Sequence, residues 1–144
     1  MIRFFTESDY DEVYQLWKNM PGVGLRSMDD SKEGITRFIR RNPTTNFVAT
    51  HNGRIVGVAL GGHDGRRGYL YHVCVEESYR QKSIGRQLIQ YVIESMKAEK
   101  ISRLALFCLK DNNLGNEVWK SLGWTKRTDL NCYALNIIDD GVNC

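Results

Sequence analysis

Residues 69–109 constrain this chain more than any other stretch. Positions 69–75 are an apolar run of strand length, and 104–109 are another. Between them, residues 83–99 place Ile84, Leu88, Ile89, Val92, Ile93 and Met96 on one face at helical spacing. A strand, a long amphipathic helix and a second buried strand read as a crossover between parallel strands, because parallel neighbours cannot be linked by a tight turn. The chain must therefore build a sheet with at least one parallel pair and cover it with that helix.

The remaining elements surround this unit with antiparallel strands. Residues 47–50 and 55–60 are apolar runs separated by Asn52-Gly53, which accepts the positive φ of a type I′ hairpin turn. Residues 2–5 read as a short strand. Thr6 with Asp9 resembles a capping box, ahead of Tyr10, Val13, Leu16, Trp17 and Met20 at helical spacing. Pro21-Gly22-Val23-Gly24 breaks that helix. A second helix is expected over about 31–41, with Ile35, Phe38 and Ile39 on one face and Asn42-Pro43 as its stop. Residues 114–122 read as a short helix ended by Gly123, and 131–138 as a last strand. The expectation is an α/β (α+β) fold in one domain over 1–144: a mixed central sheet of six to seven strands with helices on both faces. Its element order is β-α-α-β-β-β-α-β-α-β.

Several functions are excluded by composition. The 144 residues are 42% hydrophobic and carry a net charge of +3. A domain of that size buries roughly two thirds of its unfolded surface, so it needs no metal or disulfide to hold together. Arg40-Arg41 and Arg66-Arg67 are short pairs, without the interleaved basic and aromatic residues of a nucleic-acid binder. No apolar run approaches the ~20 residues needed to span a membrane, and Met1-Ile2-Arg3-Phe4 opens no signal-peptide core. Cys74, Cys108, Cys132 and Cys144 form no CxxC pair and have no His beside them at metal-ligand spacing. A reduced, cytoplasmic protein without metal, nucleic-acid or membrane partners is expected, and a homodimer is allowed.

One turn concentrates the chemistry. Between the strand ending at Val75 and the helix starting near Ser83 lie Glu76-Glu77-Ser78-Tyr79-Arg80-Gln81-Lys82. A helix N-terminus exposes unpaired N–H groups and the positive end of the macrodipole, so it attracts anions. Gly85 removes a side chain where a phosphate would approach the backbone. Arg80, Lys82 and Arg86 oppose the dipole when alone, so their clustering fits a polyanion placed among them. Taken by itself, the turn is equally a surface loop with solvated charges.

Val73-Cys74-Val75-Glu76-Glu77-Ser78-Tyr79-Arg80-Gln81-Lys82-Ser83-Ile84-Gly85-Arg86 resembles the coenzyme A signature of the GNAT acetyltransferase superfamily. That signature is an apolar strand, V-x-P-x-x-R/Q-x-x-G-x-G/A, and an amphipathic helix. A second family motif, N-x-x-A-x-x-x-Y-x-x-x-G-F, resembles Asn112 through Trp124, with Trp119 at the Tyr position. Glu77 stands at the Pro position and Ser83 at the first Gly. Ser fits if that residue is helical; a required positive φ would weaken binding.

The resemblance implies direct transfer of an acetyl group from acetyl-CoA to an amine, with CoA-binding residues Val73, Cys74, Val75, Arg80, Gln81, Lys82, Ser83, Ile84, Gly85, Arg86, Asn112 and Trp119. It implies that a backbone N–H at Val73, Cys74 or Val75, freed by a bulge, polarises the thioester carbonyl. The same segment would pair with the pantetheine amides as an added strand. Asn112 would meet the pantetheine arm and also suits a helix N-cap. Trp119 cannot protonate the leaving sulfur, since an indole N–H does not ionise usefully. It packs a short helix and walls the thioester channel, or leaves the acid role to Tyr71 or Tyr133. A simple thiol has a pKa of about 8.5, so a thiolate is a tolerable leaving group near pH 7.

For the base, His72 carries the one side chain of its strand that ordinarily titrates near neutral pH. Strict alternation puts it on the opposite face from Tyr71 and Val73, unless a bulge reverses this. Glu76, Glu77 and His63 are the other candidates. The acceptor region spans residues 21–41 and 61–68, where Asp29, Asp30 and Asp64 could hold an amine cation and Arg26, Arg66 and Arg67 a carboxylate. A small-molecule amine, an amino acid and a protein N-terminus all fit. The alternative is an acyl-CoA-binding or sensing module without turnover, motivated by Ser83 and Trp119.

Overall fold

In a computed structural model of the chain, residues 1–21, 23–80 and 82–138 are described. The Asn52-Gly53 turn forms as read, both residues taking left-handed dihedrals (φ 51° and 75°). It joins β2 (Phe47–His51) to β3 (Arg54–His63), the longest strand. β1 (Ile2–Phe4) adds to β2, and β4 (Gly68–Val75) adds to β3, all antiparallel. β5 (Leu104–Ala105) lies parallel to β4, reached through α3 (Ile84–Ala98) as the crossover requires. Among the described residues the sheet is thus mixed and five-stranded, in the order β1-β2-β3-β4-β5.

Helices cover both faces. α1 (Tyr10–Lys18) and α2 (Lys32–Arg41) bury Tyr10, Val13, Trp17, Ile35 and Ile39 against Val58, Leu60 and Cys74. On the other face α3 buries Leu88, Ile89, Val92 and Met96 against Val56, Ala59 and Leu70. Each such side chain contributes about 1.5–3 kcal/mol when fully buried, so α3 is fixed to the sheet mainly by this stripe. Ser31 caps α2 by accepting the Gly34 N–H (3.0 Å). A Cβ on Gly34 would collide with the carbonyl oxygens of Met28 and Asp29, so this glycine lets the preceding loop close onto α2.

Two strand expectations are corrected. β5 covers residues 104–105 rather than 104–109, and residues 131–138 form no strand, leaving five strands among the described residues where six to seven were expected. α4 (Asn113–Ser121) is therefore the last element among the described residues. The reason is pairing. β5 meets β4 only at Gly68–Leu104 and Tyr69–Ala105, and a later strand has no longer ladder to join. Tyr133, Leu135 and Ile137, within the expected last strand, are at least 87% exposed.

Candidate functional site

β4 breaks its alternation once. Val58 pairs with Cys74 but Leu60 pairs with Tyr71, so Ala59 stands opposite both His72 and Val73. This bulge puts His72 at φ 45°, a left-handed conformation rare for a residue with a side chain. The extra residue turns Tyr71 and His72 to the same face. Tyr71 packs edge-on against Phe38 of α2 (5.8 Å between centroids), and His72 against Trp17 of α1 (5.0 Å). Val73 goes to the α3 side. Strict alternation is therefore corrected: His72 shares a face with Tyr71 and stays opposite Val73.

His72 does not stand alone. Its Nε2 lies 2.8 Å from Asp30 Oδ1, and both side chains are largely buried, 17% and 9% exposed. The second Asp30 oxygen accepts the Arg26 N–H at 2.7 Å. The Asp30 carbonyl accepts the hydroxyl of Tyr10, whose pKa burial pushes up. Asp30 is thus tied to α1, to its own loop and to the bulge, each of its carboxylate oxygens accepting a hydrogen bond. His72 Nδ1 has no hydrogen bond among the described residues, yet it is not a buried orphan. The one buried side-chain nitrogen or oxygen without a partner among them is Trp17 Nε1, beside the imidazole. Sequence reasoning missed the Asp30–His72 pairing because the two are 42 residues apart.

Cys74 follows in the same strand. Burial pushes its thiol up to about 12, so it stays protonated and is no nucleophile at neutral pH. Burial also raises the Tyr71 hydroxyl, with Tyr69 and Asp29 adding to the effect.

Beyond β4, α3 begins at Ile84 with Ser83 as N-cap at φ 64° and no side-chain cap. No acidic residue occupies its first turn. A Cβ on Gly85 would meet only Val75 Cγ2, at 3.6 Å, so this helix end abuts the end of β4 without being plugged. Lys82 lies over the Tyr79 ring at 5.5 Å, and Arg86 is exposed on the first turn. Arg80 reaches elsewhere: its guanidinium donates to the Val75 carbonyl (3.2 Å) and contacts Met20 Sδ (2.8 Å), strapping β4 to the end of α1. Gln81 lies outside the described residues. A hollow of about 210 Å³ opens beside Lys82, Ile84 and Gln87, facing Thr50, His51 and Tyr79. Past Tyr69, β4 has no strand on the edge away from β3, so its flank from Leu70 to Val75 is open among the described residues.

The other expected residues fall around this line. Asn112 caps α4 by accepting the Gly115 N–H (3.0 Å). Trp119 packs edge-on against Trp124 (5.2 Å) and onto the α3-side core, with no ring contact to Tyr71 or His72. Tyr133 is 90% exposed. Glu76 pairs with Arg54 at 2.8 Å, and Glu77 is exposed in a 3-10 turn. His63 accepts the Gly65 N–H, and Asp64 accepts those of Arg66 and Arg67, which hold its carboxyl below its ordinary pKa. Asp29 is exposed and pairs with Arg26. No group of three His, Cys, Asp or Glu side chains capable of holding a metal occurs among the described residues, and no helix there is long and apolar enough to cross a membrane.

Comparison with known proteins adds an independent line. The model of the acetyltransferase (GNAT) family matches residues 10–124. An acetyltransferase of Yersinia pestis (strain Pestoides F) is 33% identical over 138 residues, 96% of each chain. Among solved structures, the ribosomal-protein-S18-alanine N-acetyltransferase of Escherichia coli superposes with a TM-score of 0.73 at 19% identity, over 89% of this chain and 79% of that one. The aminoglycoside N-acetyltransferase AAC(6')-Iy in complex with CoA superposes with a TM-score of 0.74 at 17% identity, over 94% and 99%.

Proposed function

The chain belongs to the GNAT acetyltransferase family, and from that premise we propose that it moves an acetyl group from acetyl-CoA directly to a primary amine. The amine belongs to a small molecule, an amino acid or a protein N-terminus, and the reaction takes place in the cytoplasm. The solved relatives act on such groups by name: one on a ribosomal protein alanine, one on aminoglycosides. The observation that carries the reading is one continuous path. An uncapped helix end without first-turn acids adjoins an open strand flank, and that flank leads to a bulge bearing an imidazole.

Bound along this path, acetyl-CoA supplies an acetyl thioester. The N–H groups of Ile84, Gly85 and Arg86 face its pyrophosphate, with Lys82 and Arg86 adding positive charge. Val73, Cys74 and Val75 offer backbone groups to the pantetheine amides, and a backbone N–H at the bulge polarises the thioester carbonyl. Gln81, Asn112 and Trp119 complete the cofactor-binding set, and Arg80 holds the mouth of the path by its strap to Met20. The free backbone groups along β4 match the donor's amides and the cations at the α3 end match its phosphates, so the residues fit.

In the balanced reaction the amine nitrogen forms a C–N bond to the carbonyl carbon, the C–S bond breaks, and its electron pair leaves with sulfur. His72 takes a proton from the amine nitrogen. Burial holds the Tyr71 hydroxyl above its ordinary pKa, and a thiol is a stronger acid than a phenol, so full proton transfer to the sulfur is unfavourable. Tyr71 therefore acts as a hydrogen-bond donor to the leaving sulfur. Cys74, held as a thiol, offers no covalent route, which favours direct transfer.

Gly85→Glu tests the site. The position has room for a side chain, so the fold should survive while the carboxylate repels the pyrophosphate. At a hundredfold excess over Kd, acetyl-CoA should stabilise the wild-type protein by about 2.7 kcal/mol, and that thermal shift should vanish in the variant. An unchanged shift would remove the helix end from the account. Thiol release over a panel of amines separates the enzyme from a binding-only module.

A further inference from the structure

We propose that Asp30 is a positioning residue that makes His72 Nδ1 the atom receiving the acceptor's proton. This rests on the acetyl-transfer reading and deepens it. A carboxylate can only accept hydrogen bonds, so the 2.8 Å contact from Nε2 to Asp30 Oδ1 places the ring proton on Nε2. The lone pair of the neutral ring then sits on Nδ1, the ring nitrogen left without a partner among the described residues. Asp30 is itself held: Oδ2 by the Arg26 N–H, its carbonyl by the Tyr10 hydroxyl. The imidazole cannot rotate freely, because Trp17 packs against it and the bulge fixes its backbone. When Nδ1 takes the proton of the amine nitrogen, the ring becomes an imidazolium whose charge the buried carboxylate balances. The nitrogen keeps the electron pair that forms the new C–N bond.

The local geometry makes Asp30→Asn a sharp test. The backbone N–H of Arg26 is only a donor, so it requires the amide oxygen at the Oδ2 position. The amide NH2 must then face Nε2, which becomes an acceptor, and the ring proton moves to Nδ1. The variant keeps its shape but presents a protonated Nδ1 to the acceptor. Nitrogen-15 spectra of histidine-labelled protein read the tautomer directly, independent of turnover. The wild-type neutral ring should be the Nε2–H tautomer, and Asp30→Asn should show Nδ1–H. With a turned-over amine, kcat should fall by about 10²–10⁴-fold while KM for acetyl-CoA stays unchanged. In a His72→Gln background, Asp30→Asn should lower kcat no further.

A wild-type Nδ1–H tautomer overturns the proposal, whatever the activity. So does a flipped tautomer in Asp30→Asn with kcat intact, because Nδ1 would then not be the base. If the wild-type ring is Nε2–H but no amine releases thiol from bound acetyl-CoA, the acetyl-transfer reading itself fails. The intact tautomer distinguishes that result from a failure of the pair.

Discussion

Ser83 sits at φ 64° at the entrance to α3, a conformation that glycine adopts freely and serine does not. A left-handed residue with a Cβ costs roughly 1–2 kcal/mol, and here it buys no cap, because the hydroxyl bonds to no helix amide. Ser83→Gly should therefore raise the stability of the free protein by about 1 kcal/mol in chemical denaturation. If the same conformation is used with ligand bound, the CoA dissociation constant should fall or stay level in a titration. A loss of stability would mean that the serine makes an unseen compensating contact. His72, at φ 45°, is the contrasting case. There the strain coincides with a carboxylate-bonded imidazole at the head of an open strand flank, which is where strained residues tend to be retained.

At the scale of elements, α2 depends on one close approach. The loop at Met28 and Asp29 lies so near Gly34 that a methyl group would intrude on two carbonyls, and Asp30 is the next residue in that loop. Gly34→Ala should cost about 1–3 kcal/mol through overpacking, against its usual gain in a helix. It should also disturb the Asp30–His72 contact, read as a change in the His72 nitrogen-15 tautomer. Much of this architecture was legible in advance. The crossover followed from the apolar runs and the periodicity of 83–99, and the hairpin from Asn52-Gly53. The place of the bulge in β4 was not legible, since one inserted residue leaves no mark in a run such as Tyr-Leu-Tyr-His-Val-Cys-Val. Asp30 is expected from the sequence only among the acids that could hold an amine cation, because nothing local ties it to a strand 42 positions away. Residues 131–138 carry a strand pattern, but a pattern supplies no neighbour, and β5 stops at Ala105.

Across the whole molecule, the N-terminal strand is fastened to the first helix by a buried acid. Asp9 receives both terminal nitrogens of Arg3 (2.7 and 3.0 Å) together with the N–H and hydroxyl of Thr6. Burial alone would raise the Asp9 pKa, but these donors outweigh it and the value is lowered. A depressed carboxyl contributes stability above its unfolded pKa, near 4, and loses it as pH falls through the folded value. Asp9→Asn should thus lower stability by about 2 kcal/mol at pH 7, and the gap between variant and wild type should close below about pH 4 in urea denaturation. The flank of β4 has a different consequence. A row of backbone groups left free to receive one arm is also a template on which any stray chain can zip, so vacancy carries a colloidal hazard. The α3 crossover and the kink at His72 keep that row short and bent. The bulge that bends the flank toward its guest thus also discourages fibril growth.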